Sequence, residues 1–393
     1  MEKRKTSGIL IVAAVALAIY FVIGFVQTVL AVASVPDGIV VSPYAVSRAD
    51  YGAVKCELSV PAATDDVGKG KLSFKLFGLL PIKTIDIICA KDRQVRIGGF
   101  PVGLTLKLDG VLVDEVSTVS TSAGKVKIGD GIERGDLILN LNDTRIETVD
   151  DLMSYMDEYD GCEKLGVTLN RKGRILKVNV SPLIDELSGK YRLGLFVRDN
   201  ISGVGTTSFV RSDNTFACLG HGIASDDYVV PIVGGSVYDC DIVGVNRGCK
   251  GTPGELKGVL KDTANPIGEV YKNTDYGVYG KYYSAAAIPE KYYKMGSRLN
   301  VRNGKAKIYT SVNGNAPDFY DIEIIRAMSQ THRADRSMVV RVTDKRLLEL
   351  TGGIVRGMSG SPIVQNDMIV GAVTHVFVND PTKGYGLYLD WMY

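Results

Sequence analysis

Helical spacing is hardly ever sustained along this chain. Its apolar residues recur instead in short runs between turn residues, at 193–197, 205–210, 228–233, 278–282, 307–311, 339–342 and 368–374. Runs of this length, closely spaced and separated by turns, predict a β-barrel or sandwich of many short strands. The one helical candidate in this half is 320–327. Composition agrees: 44 Gly against 13 Pro, with many Val, Ile and Tyr, suits a turn-rich, mainly β protein.

The exception is the N-terminus. Residues 8–34 carry no charge and are dominated by Leu, Ile, Val and Ala, long enough to span a hydrocarbon core as a helix. Lys3, Arg4 and Lys5 precede the run and would stay cytoplasmic, placing 36–393 across a membrane. Ala31-Val32-Ala33 also resembles a signal-peptidase site. An uncleaved signal anchor over 1–35 and a cleaved signal peptide are therefore both open, and the length of the run favours the anchor. A buried core helix is the weaker reading, because uncharged runs this long are rare in soluble domains.

The charge balance, 46 Lys+Arg against 44 Asp+Glu, gives no reason to expect nucleic-acid binding. Six cysteines occur without a CxxC pair, so no metal site is expected. Cys240 and Cys249 are compatible with a disulfide in an exported chain, or with reduced thiols. No organic cofactor is implied.

Residues 36–100 read as a β-rich lead-in with apolar runs at 38–41 and 85–89. Residues 101–182 form a clearer α+β unit: a strand at Val111-Leu112-Val113, the stretch GDGIERGDLILNLND from Gly129, and a helix with Leu152, Met153 and Met156 on one face. Strands then flank the turn Arg171-Lys172-Gly173. Thr148 or Asp150 would cap the helix. The order of elements resembles a PDZ domain, which binds an extended peptide at a sheet edge. Pro101-Val102-Gly103-Leu104 is the expected carboxylate-binding loop.

The chemistry is concentrated in 183–393. Gly357-Met358-Ser359-Gly360-Ser361-Pro362, running into a hairpin, is how chymotrypsin-like peptidases present a nucleophile. Flanking glycines permit a sharp turn that exposes the Ser359 hydroxyl. The N–H groups of Gly357 and Ser359 would meet at an oxyanion hole. A serine needs a base, and His is the usual one. Of the three histidines, His221 lies between glycines after an apolar strand and is preferred. His332 sits in a polar stretch, and His375 follows the Ser359 hairpin. An Asp would orient the imidazole, with Asp226, Asp227, Asp262, Asp275 and Asp344 as candidates.

YRLGLFVRDNISGVGTTSFV, LGHGI, VTDKRLLELTGGIVRGMSGSPIVQND and MIVGAVTHVFVNDPTKGYGLYLDWM resemble the SpoIVB (stage IV sporulation protein B) serine peptidase family, as does the order anchor, PDZ, peptidase. The resemblance implies Ser359 as nucleophile, His221 as base and Asp344 as third member. It further implies a signalling peptidase in the space between the two spore membranes. Such a peptidase cleaves itself and a membrane protein that restrains an intramembrane protease, which leads to late sigma-factor activation. Two other readings compete. One is a non-catalytic PDZ-based binding module on a degenerate peptidase fold, disfavoured by the joint presence of Gly357, Ser359, Gly360 and His221. The other, an HtrA-like quality-control protease, would place the peptidase before the PDZ.

Overall fold

The computed structural model describes residues 15, 18–20, 22–30, 32–33, 35, 39–41, 46, 53–59, 67–90, 94–128, 131–284, 288, 290–330 and 332–392. Most of the expected anchor lies outside them. Residues 22–30 are helical, with Val22, Ile23 and Val26 exposed. No helix among the described residues is long and apolar enough to cross a membrane.

The lead-in folds as a four-stranded sheet in the order Ile39–Val41, Leu80–Ala90, Val67–Leu76, Val54–Ser59. Alternation at Leu72, Phe74, Ile85 and Ile87 buries one face, against which Leu299 packs.

A two-stranded ribbon organises the remainder. Pro101–Val116 pairs antiparallel with Leu195–Val210 along nearly its whole length, from Thr206↔Pro101 to Leu195↔Val116. One end of the ribbon, with Val102, Leu104 and Leu106, is buried with Phe216, Leu219 and Val237. The other end, with Val111 and Val113, joins a separate core with Ile138, Leu141, Leu152 and Leu169. This corrects the expected loop at Pro101-Val102-Gly103-Leu104, which is strand at the end of the ribbon. Its period-two alternation continues through Leu106 and Leu108, all buried. Gly103 serves no turn here: it sits in the strand, and a Cβ there would meet the tip of the Leu260 side chain, which would have to move aside.

The second core contains the elements expected of 101–182. Helix α1 (Val149–Glu158) is capped by Thr148, whose hydroxyl accepts from the Asp151 N–H while the Asp151 carboxylate accepts from the Thr148 N–H at 2.8 Å. Leu165–Arg171 and Arg174–Val180 form a hairpin on Lys172 and Gly173, both at positive φ. Arg171 then reaches the fully buried Asp136 through two 2.7 Å bonds, tying the Gly135-Asp136 turn to the hairpin.

Apart from three small two-stranded sheets, the remaining strands continue from the ribbon in one hydrogen-bonded network that closes on itself. Its largest core gathers Ile308, Ile322, Ile324, Met338, Val340, Ile363, Ile369 and Val373. The helix expected at 320–327 is instead the strand Asp318–Ala327. Tyr320, Ile322 and Ile324 are buried at a spacing of two, and β-branched residues fit a pleated surface better than a helix. A short helix, α2 (Lys345–Thr351), ends at Gly352 in the left-handed conformation and leads into the Ser359 turn. Cys240 is buried and Cys249 exposed. Both are free thiols, so they form no disulfide.

Candidate active site

His221 is delivered by the buried strand Thr215–Cys218 through a tight turn at Leu219 and Gly220, both at positive φ. Asn273 holds the loop beyond it. Its Oδ1 accepts from Ile223 N–H at 2.9 Å, and its Nδ2 donates to the Ile223 and Val230 carbonyls at 2.8 and 3.0 Å. His221 Nδ1 lies 2.8 Å from the Gly222 carbonyl oxygen. A carbonyl only accepts, so Nδ1 carries the proton and Nε2 keeps its lone pair, the tautomer a general base needs. Burial holds the imidazole pKa below its ordinary value, and the bond to Gly222 opposes that shift. The His375 ring lies against it, with centroids 4.8 Å apart. His332 is exposed, as expected.

Ser359 sits on a turn with Gly357 at φ 93° and Gly360 at φ 97°. A Cβ at Gly360 would lie 2.0 Å from the Thr206 carbonyl oxygen, so glycine is required there on both counts. The turn is pinned from two sides. Thr206 donates its N–H to the Ser359 carbonyl at 3.0 Å and its hydroxyl to the Gly357 carbonyl at 2.7 Å. From the other side, Gly360 N–H donates to the Val373 carbonyl at 2.7 Å. Met358 N–H is taken by the Val355 carbonyl, whereas the N–H groups of Gly357 and Ser359 meet no acceptor among the described residues. Backbone N–H groups left without an acceptor are what an oxyanion hole requires.

Ser359 and His221 line one pocket of about 280 Å³, together with Leu219, Ile223, Arg356 and Gly357. Ser359 Oγ, however, donates to the Thr374 carbonyl at 2.6 Å.

The structure does not bring Asp344 to the imidazole. Asp344 is the N-cap of α2, where Oδ1 accepts from Arg346 N–H at 2.9 Å and Oδ2 from Arg346 Nη2 at 3.0 Å. Its pKa is lowered, first by the Arg346 side chain. An Asp directly before an apolar helical run is the usual N-cap pattern, and that is the role it fills. Of the rival carboxylates, Asp226 is 3.7 Å from Arg134 and Asp262 caps its own turn through Ala264 and Asn265. The position an orienting carboxylate would take on His221 belongs to the Gly222 carbonyl.

A second concavity, of about 440 Å³, lies between α1 and the segment Leu193–Val197, lined by Val149, Leu152, Met153, Met156 and Phe196. Strand Leu195–Val210 pairs here only with Pro101–Val116 among the described residues, so its outer edge faces α1 unpaired. The sequence reading missed this groove. The available signal was Gly194, at φ 62°, placed among apolar residues at a strand start.

A mainly β domain that collects a glycine-flanked serine, a histidine in the base tautomer and two undonated amides defines a serine peptidase. The family model of the SpoIVB peptidase, S55, matches residues 189–393, more than half the chain, and the chain belongs to that family of sporulation serine peptidases. No curated protein matches the chain significantly.

Proposed function

We propose that the chain is an endopeptidase acting by acyl transfer, with Ser359 as nucleophile and His221 as general base. Ser359 Oγ bonds to the scissile carbonyl carbon while its proton passes to His221 Nε2. The Gly357 and Ser359 amides hold the oxyanion, and the Gly222 carbonyl steadies the imidazolium through Nδ1–H. Collapse breaks the C–N bond as Nε2 returns the proton to the leaving amine, and water releases the acyl group by the reverse sequence. The carrying observation is that Ser359 and His221 share a pocket while the Gly357 and Ser359 amides meet no acceptor among the described residues.

The groove beside α1 supports the PDZ reading, with an extended peptide adding to the free edge of Leu193–Val197. With an anchor over 1–35, the substrates would be a membrane-protein regulator of an intramembrane protease and the chain itself. Cleavage would occur in the space between the spore membranes and lead to late sigma-factor activation.

The alternative, a non-catalytic binding module, draws on one observation: the Ser359 hydroxyl points to Thr374 rather than to His221. The test is intact-mass analysis of wild type and Ser359→Ala over time. N-terminal fragments from wild type alone support the enzyme and read out its cut site. Identical fragments from both, or intact wild type that also resists a serine-directed phosphonate, move the binding module ahead.

A further inference from the structure

The pocket shared by Ser359 and His221 has a composition that its catalytic residues do not explain. Its walls are Leu104, Ile201, Val204, Leu219 and Ile223, and into this apolar lining comes one permanent charge, Arg356. Arg356 is fixed at the backbone, its N–H donating to the Gly254 carbonyl and its carbonyl accepting from Leu256 N–H, each at 2.9 Å. Its side chain is exposed and enters no ion pair or side-chain hydrogen bond among the described residues. Glu255 sits opposite it across an isolated parallel bridge, yet the two form no ion pair, and Arg356 rather than Glu255 lines the pocket. An Arg held at the rim of an apolar pocket without an internal partner is a ready counter-ion for a carboxylate, which it binds through two parallel N–H donors.

We propose that this pocket is a specificity site. It accepts an acidic side chain from the leaving-group half of the substrate, with Arg356 pairing the carboxylate and the apolar walls covering the methylene stem. The assignment rests on Ser359 and His221 acting as the catalytic pair. The base must hand its proton to the leaving amine, so that half of the substrate lies along His221. The pocket reaches that side: its walls come from the ribbon and the His221 loop, joined by Arg356, Gly357 and Ser359 of the serine turn, and none come from the strand Met368–Val376 that follows that turn. At about 280 Å³ it has room for a side chain rather than for a drug-sized ligand.

The test uses the full chain and a synthetic peptide mixture randomised at every position. Cut sites made by wild type, Arg356→Lys and Arg356→Glu are identified by mass spectrometry. In parallel, uncut peptides are recovered on Ser359→Ala and on Ser359→Ala/Arg356→Glu. The expected result is enrichment of Glu and Asp at the first two positions after the cut, partly kept in Arg356→Lys and reversed toward Lys and Arg in Arg356→Glu. The swing in preference should be about tenfold or more, as for a hydrogen bond to a charged group. Cleavage with the same sequence preference in wild type and Arg356→Glu overturns the proposal. So does the absence of acidic enrichment in both cutting and binding. Acidic peptides recovered on Ser359→Ala but lost with Arg356→Glu, alongside an inert wild type, support the site while overturning the peptidase reading.

Discussion

Ser359 Oγ donates its hydrogen bond to the Thr374 carbonyl, 2.6 Å away, so Ser359 and His221 share a pocket without being joined. Reaction requires Oγ to turn about χ1 toward Nε2. A side-chain rotation of this kind is a small step, and catalytic hydrogen bonds often tighten only when substrate binds. A structure of the phosphonylated enzyme is expected to show Oγ released from Thr374 and the phosphoryl oxygen within about 3 Å of the Gly357 and Ser359 nitrogens.

The pH dependence follows from the two neighbouring imidazoles, His221 half-buried and His375 more exposed. The reactive form of His221 is neutral, and burial holds its pKa below the ordinary 6.5. The rate is therefore expected to be level at neutral pH and to fall through an apparent pKa below 6.5. His375 is also pushed down, to about 4, first by desolvation and then by the charge on His221, with Asp335 acting the opposite way. In the unfolded chain both rings take up protons near pH 6.5, whereas the folded chain resists. Their contribution to stability is thus complete above about 6.5 and is lost as pH falls toward 4. Imidazole proton titration by NMR, with urea midpoints at pH 7 and 4.5, checks both statements.

Gly360→Ala is expected to abolish activity, because its Cβ would meet the Thr206 carbonyl oxygen and its φ of 97° is strained for alanine. A backbone conformation of this kind costs about 1–3 kcal/mol before the clash is counted. Thr206→Val removes only the hydroxyl donated to the Gly357 carbonyl. It should keep the fold and lower kcat more than it raises KM, read from steady-state kinetics beside a thermal melt.

Near the C-terminus, Arg298 and the fully buried Asp390 form an ion pair at 3.0 Å, with the guanidinium over the Trp391 ring. Asp390→Ala removes the cation's carboxylate, leaving it the Gln330 carbonyl and the Trp391 ring, and is expected to cost about 3 kcal/mol. A double-mutant cycle with Arg298→Met should recover part of that loss in denaturant unfolding.

What was legible in the sequence was local. The Gly357–Gly360 turn, the His221 turn and the Thr148 cap are each specified by neighbouring residues, and the structure places them as expected. What depends on distant chain was not legible. Thr206 reaches the nucleophile turn from about 150 positions away, and no pattern around it marks that contact. The segment 320–327 has apolar residues that fit two periods, and pairing with Gly304–Thr310 and Met338–Val342 decides for the strand. Pro101–Leu104 contains the Pro and Gly of a loop, but its outcome is set by the ribbon partner Leu195–Val210. Asp344 shows the same limit from the other side: the residues beside it specify a helix cap, and its choice over the other candidate carboxylates came from resemblance alone.

The most direct measurement is therefore the rate of Ser359 modification by a fluorophosphonate, followed by intact mass, in wild type, His221→Ala and Asp344→Asn. Asn is as good an N-cap as Asp, so α2 should survive that change. The account predicts a single adduct on Ser359 in wild type, a loss of at least about a hundredfold in His221→Ala, and a rate within about tenfold of wild type in Asp344→Asn. A fall of about ten-thousandfold in Asp344→Asn, the signature of a lost triad carboxylate, would contradict it.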